Sequence, residues 1–172
     1  GFPLEAGAFF RSDPALDLPD LQSHFSPAIS TGQPRRNPFV VSTGTDEGHG
    51  FTANVCPMRP LSRGEVRLAS ADPFAAPAIQ PGYFSHPDDM ERLKKGVNLL
   101  REVFAQPAFD PYRGRELSPG EGVLEDADIE AWIRQTADTM FHPVGTCRMG
   151  SDEDSVVDGE LRVRGIKGLR IA

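Results

Sequence analysis

The sequence predicts an α+β fold, a mostly antiparallel sheet covered by helices. Three observations carry that expectation. Strand-like and helix-like periodicities mix without the regular strand–helix–strand rhythm of a parallel sheet. The 17 glycines and 16 prolines of the 172-residue chain cut it into short extended pieces. One long segment nevertheless keeps an unbroken apolar stripe at helical spacing.

The elements follow in chain order. "EAGAFFRS" reads as a short strand, and Pro14 and Pro19 then bracket a loop. "LQSHFSPAIS" reads as a second strand, and residues 31–50, rich in Gly, Thr and Pro, as an irregular excursion. "GFTANVCPM" is apolar and β-prone, "PLSRG" is a turn, and "EVRLAS" alternates polar and apolar residues. Together they predict a hairpin with Val66 and Leu68 on one face. "ADPFAAPAIQPGYF" carries too much proline for a helix and is expected to run extended along the surface.

Residues 86–105 are the clearest helix. Ser85 with Asp88 makes a capping-box pattern, Pro87 is tolerated in the first turn, and Pro107 ends the run. Met90, Leu93, Val97, Leu100 and Phe104 form the buried stripe. A second helix is expected over 127–138, capped by Asp126, with Ile129, Trp132 and Ile133 inward. "VVDGELRVRGIKGLRIA" offers two short strand-like runs separated by glycines.

The length suits one domain over 1–172 with its own core. The net charge of -7 argues against a nucleic-acid surface, which needs clustered Lys and Arg. No apolar run reaches the roughly 20 residues that span a bilayer. Cys56 and Cys147 are too few for a disulfide framework, and two reduced thiols are expected. The chain opens inside apolar sequence, "GFPLEAGAFF", and stops in a strand-like run, "LRIA", so we expect a fragment of a larger protein.

Residues 141–150, "FHPVGTCRMG", concentrate the chemistry. Imidazole titrates near neutral pH, so a histidine can take a hydroxyl proton without standing permanently charged. Pro143 stiffens the backbone beside His142, Gly145 permits close approach of a flat ligand, and Thr146 can donate a hydrogen bond. From residue chemistry alone, a structural histidine stays the commoner alternative. A metal site is not expected: His142 and Cys147 are five apart, and Asp88 and Asp89 of "HPDD" are explained by the helix dipole. Cys147 lacks a nucleophile elbow and apolar neighbours suggest that it packs as a small hydrophobe. His24, His49 and His86 have plain explanations as strand surface, loop and helix start. No Rossmann glycine turn and no P-loop lysine occurs.

The order of several blocks adds a resemblance. "HPVGTCRMG" followed by "VVDGELRVRGIKGLRIA" resembles the C-terminal signature of the glucose–methanol–choline (GMC) flavin oxidoreductases. "RPLSRGEVRLASADPFAAPAIQPGYFSHPDDMERLKKGV" and "QPAFDPYRGRELSPG" look like the same family, so the likeness is strongest over 50–172. "EAGAFFRS" and "PDLQSHFSPA" look like its choline-dehydrogenase-like branch.

The resemblance implies the substrate-binding domain of an FAD-dependent alcohol dehydrogenase or oxidase. In the family pattern the histidine of H-x-x-G-T faces flavin and substrate, which here makes His142 catalytic, with Gly145 and Thr146 as flavin-side, cofactor-binding backbone. Arg148 and Cys147 are expected to serve packing and local hydrogen bonding. It also implies a flavin-binding domain elsewhere in the same polypeptide, and an Asp-Ala-Ser segment just after Ala172 with a second catalytic His or Asn further on. The expected partners are a small-molecule alcohol and that missing domain, with no nucleic acid. The isolated chain is expected to be inactive, to bind FAD poorly, and to self-associate through the surface the flavin domain would cover. The expected location is cytoplasmic, with membrane association open to the full-length protein. The competing reading is a non-catalytic binding or scaffolding module on the same fold.

Overall fold

The computed structural model describes residues 4–29, 40–44 and 48–172, with the backbone alone described for 40–44. The strands are β1 (Ala6–Phe10), β2 (Leu21–Ser26), β3 (Val40–Gly44), β4 (Gly50–Pro57), β5 (Glu65–Arg67), β6 (Ala78–Gln80) and β7 (Arg115–Ser118). The helices are α1 (Pro87–Phe104) and α2 (Asp126–Thr136), with a 3-10 turn at Pro107–Phe109. The chain divides into two compact units: Gly1–Arg63 with Tyr83–Met140, and Gly64–Gly82 with Phe141–Ala172.

The first unit is an antiparallel sheet of order β1-β2-β4-β3-β7 with helices packed against it, the expected α+β architecture. Phe51, Ala53 and Val55 alternate along β4 and share one core with Met90, Leu93, Val97, Leu100 and Phe104 of α1, the predicted stripe. Phe51 and Phe104 meet edge to face at 4.8 Å between ring centroids, and Phe109 packs 5.2 Å from Phe51. A Cβ at Gly96 would stand 2.8 Å from Val55 Cγ2 and 3.3 Å from Leu21 Cδ1, so this glycine sets how closely α1 lies on the sheet. Ile129 and Ile133 of α2 are fully buried in the same core. Buried Lys94 joins the helices, reaching Glu91 at 2.8 Å and Asp126 at 3.0 Å. Those two carboxylate hydrogen bonds raise the Lys94 pKa above its ordinary value.

Several local expectations are corrected. His86, not Ser85, caps α1, its Nδ1 accepting the Asp88 N–H at 3.3 Å. Ser85 Oγ instead accepts the Arg63 N–H, and Ser62 Oγ accepts the His86 N–H, so the loop and the helix start satisfy each other. Asp89 does more than answer the helix dipole: buried, it accepts Leu61 N–H at 2.9 Å and Ser62 N–H at 2.7 Å. The cap of α2 is Glu125, without a side-chain bond, because Asp126 lies in the first turn and is held by Lys94.

Two pairing expectations also change. Part of the excursion at 31–50 is strand β3, and the rest up to residue 47 lies outside the described residues. β5 pairs with β6, not with β4, because the loop amides at 61–63 are taken by Asp89 and Ser85 and the chain leaves the sheet there. In the second unit Val66 and Leu68 are therefore exposed, Leu68 by 90%. The segment after Met149 forms isolated bridges, Val157 with Met149 and Val163 and Arg162 with Arg170, rather than regular strands. Among the described residues no helix is long and apolar enough to cross a membrane.

Candidate functional site

His142, Gly145 and Thr146 lie together on one exposed strip of the second unit. Phe141 before it adopts φ +61° and Gly145 φ +102°. For glycine that conformation is free of the Cβ clash, and for phenylalanine it is strained. His142 is exposed, and its ring makes no hydrogen bond or ion pair with the described residues. The amides of Val144, Gly145, Thr146 and Cys147 likewise have no partner among them.

The strip is anchored on its C-terminal side. Arg148 N–H bonds Gly145 O at 3.2 Å, closing a turn, and Arg148 O accepts the Val156 N–H at 3.0 Å. Arg148 Nη1 reaches Asp152 Oδ2 at 2.9 Å, and that hydrogen bond holds the exposed Asp152 carboxyl at a pKa of about 2. Arg164 braces the same turn, Nε to Ser155 Oγ at 3.0 Å and Nη2 to Gly150 O at 2.9 Å. Ser155 and Val157 are buried beneath it. The role expected of Arg148 in local hydrogen bonding is thus observed, whereas Ser155 and Arg164 gave no local signal in sequence.

Cys147 is exposed, which corrects the expectation that it packs as a small hydrophobe; its neighbours Val144 and Met149 are themselves exposed. Cys56 is half-buried, and burial pushes its thiol pKa up. Both cysteines are free, as expected. His24 lies on β2 with Nδ1 3.1 Å from Asn54 Oδ1, His49 precedes β4 on the surface, and His86 caps α1. No group of three or more His, Cys, Asp or Glu converges on a metal position among the described residues.

Residues 60–172 match the GMC oxidoreductase sequence profile. The chain belongs to the GMC oxidoreductase family. Oxygen-dependent choline dehydrogenase of Pseudomonas aeruginosa (strain LESB58) is 46% identical over 168 residues, 98% of this chain and 28% of that protein. The Klebsiella pneumoniae enzyme of the same name is also 46% identical over 98% of this chain. Among solved structures, pyridoxine 4-oxidase from Mesorbium loti superposes with a TM-score of 0.80 at 28% identity, covering 95% of this chain and 31% of its own. An Aspergillus oryzae formate oxidase, described for its FAD modification, superposes at 0.75 with 28% identity over 90% of this chain and 26% of its own. This GMC chain therefore spans under a third of the length of the relatives it matches.

Proposed function

We propose that this chain is the substrate-binding, histidine-bearing part of an FAD-dependent GMC alcohol dehydrogenase or oxidase. The observation that carries the reading is His142, an unclaimed imidazole on a backbone strip braced from behind, within the stretch that matches the family. Choline is the first substrate to try, given the 46% identity to choline dehydrogenases.

The strip fits the edge of a flat hydrogen-bonding ring. Four unpartnered amides, Val144 to Cys147, offer donors, and a Cβ built on Gly145 would meet nothing within 4 Å. Gly145 and Thr146 would lie along the ring, and His142 would face the alcohol. When bound, FAD supplies the two-electron acceptor for the hydride of the carbinol carbon. His142 accepts the alcohol hydroxyl proton at an unprotonated ring nitrogen, and the charge gathering on oxygen helps to expel the hydride. The carbonyl product forms as that C–H bond breaks, with the proton left on imidazole. The glycine turn that would seat the dinucleotide does not occur in these 172 residues, so the chain alone is expected to bind FAD weakly and to be inactive.

The same reading names the partners and the place. The exposed apolar side chains of the second unit, Leu68 (90%), Phe74 (95%) and Val144 (93%) foremost, suit burial against the flavin domain of the full-length protein. Without that domain they suit self-association of the chain. Two free thiols favour the reducing cytoplasm, with membrane association reserved for the full-length protein.

The test is steady-state oxidation of an alcohol panel by the full-length protein and its His142→Asn variant. Proton handling of this kind is worth about a hundred- to ten-thousand-fold, so kcat/KM should fall by that factor with bound FAD retained. Unchanged turnover would make this region a non-catalytic binding module.

A further inference from the structure

In the first unit, Leu21 and Phe25 of β2 and Phe51, Ala53 and Val55 of β4 join α1 in the core. Alternation along a strand sends the residues between them to the opposite, helix-free face. There they meet as three cross-strand pairs, Gln22 with Cys56, His24 with Asn54 and Ser26 with Thr52. An antiparallel sheet commonly shows such a polar face to water. Water does not account for this one, because Ser26 and Thr52 are each only 6% exposed. Ser26 Oγ is buried and has no hydrogen-bond partner, and an unpaired buried hydroxyl is costly until something pairs with it.

Two residues back on the same face, the His24 ring has its tautomer fixed. Asn54 Oδ1 accepts the His24 backbone N–H at 3.1 Å, so that atom is an acceptor, and His24 Nδ1 lies 3.1 Å from it. Nδ1 therefore carries the ring proton. In the neutral imidazole Nε2 is left as a bare lone pair, with no partner among the described residues. Ser26 follows about 7 Å along the strand, the reach of a small alcohol. A lone pair beside a hydroxyl suits an O–H or N–H donor and offers little to an anion.

We propose that His24 and Ser26 form a hydrogen-bonding subsite for the non-reacting end of the alcohol, selecting substrates that carry an O–H or N–H donor there. The proposal rests on the alcohol oxidation proposed above.

The experiment uses the full-length flavoprotein and two pairs of alcohols differing by one donor. These are N,N-dimethylethanolamine, as its ammonium, against choline, and propane-1,3-diol against propan-1-ol. kcat and KM are measured for the wild type, His24→Leu, His24→Gln and Ser26→Ala, with bound flavin and circular dichroism as controls. Dissociation constants for the same alcohols are read by calorimetry in the His142→Asn background, where binding needs no turnover. The wild type should favour the donor-bearing member of each pair by about tenfold, in KM and Kd rather than kcat. His24→Leu should bring that preference close to one, and Ser26→Ala should reduce it. His24→Gln, which keeps an acceptor, should retain part of it. A wild type indifferent to the donor would overturn the proposal. So would a preference that survives His24→Leu and Ser26→Ala, the result expected if the remainder of the polypeptide pairs with these two groups. A wild type that oxidises no alcohol, yet binds with a His24-dependent preference, would reject the proposed oxidation and support the subsite.

Discussion

Arg101 grips Glu116 at two points, Nε to Oε2 at 3.0 Å and Nη2 to Oε1 at 2.8 Å, tying α1 to β7. Arg101 Nη2 also donates to Val123 O at 2.8 Å, and Glu116 Oε1 accepts the Gly120 N–H. Both side chains are largely buried. Arg101→Ala strands the Glu116 carboxylate and should cost about 2–3 kcal/mol in urea unfolding of the chain. Arg101→Lys cannot reproduce the fork and should recover only part of it. A loss near zero would show that the pair does not hold β7.

Asp89 makes folding acid-sensitive. Burial by itself raises its carboxyl, but the Ser62 hydroxyl, the amides of Leu61 and Ser62 and the Arg92 charge outweigh it, so its pKa lies below the ordinary value. A carboxylate depressed on folding contributes stability that is present above the unfolded value, about 3.9, and is lost as pH falls through the folded one. Asp89→Ala should lower stability at pH 7 by about 2 kcal/mol and flatten the acid limb of a stability–pH curve. An unchanged acid limb would contradict the assignment.

Gly96 sets two known effects against each other. Alanine gains about 1 kcal/mol of helix propensity, while overpacking a tight core costs about 1–3 kcal/mol. The built Cβ meets a short, branched, buried Val55 at 2.8 Å, which has little freedom to yield. Gly96→Ala should therefore destabilise, and Val55→Ala should turn the same change neutral or stabilising. Stabilisation in the wild-type background would mean that α1 has room to move.

These relationships show what a linear sequence carries. The α1 stripe from Met90 to Phe104 was legible because helical periodicity is local. β3 was hidden by the Gly- and Pro-rich residues around "VVSTG". The wrong β4–β5 hairpin arose because "PLSRG" has turn composition, whereas its actual direction is set by Asp89 and Ser85, more than 20 residues away. His142 stood out through its family resemblance and not its chemistry. Neither the strained Phe141 nor the bracing of Gly150 by Arg164, 14 residues on, has a local signal.

The apolar surface of the second unit gives a solution prediction. Leu68 and Phe74, 90% and 95% exposed, should drive concentration-dependent association of the chain on its own. Sedimentation velocity should show it, and Leu68→Ser with Phe74→Ser should weaken it. A single monomer boundary at every concentration would remove the expectation.

Everything proposed for the site depends on His142 taking the proton of an alcohol oxidised at a flavin. The most direct test is anaerobic rapid mixing of the full-length protein with choline and other alcohols, following the oxidised flavin band. Bleaching by at least one alcohol is expected, slowed about a hundred-fold or more in His142→Asn with FAD still bound. Bleaching at the same rate in the variant, or none by any alcohol in the wild-type protein, would contradict it.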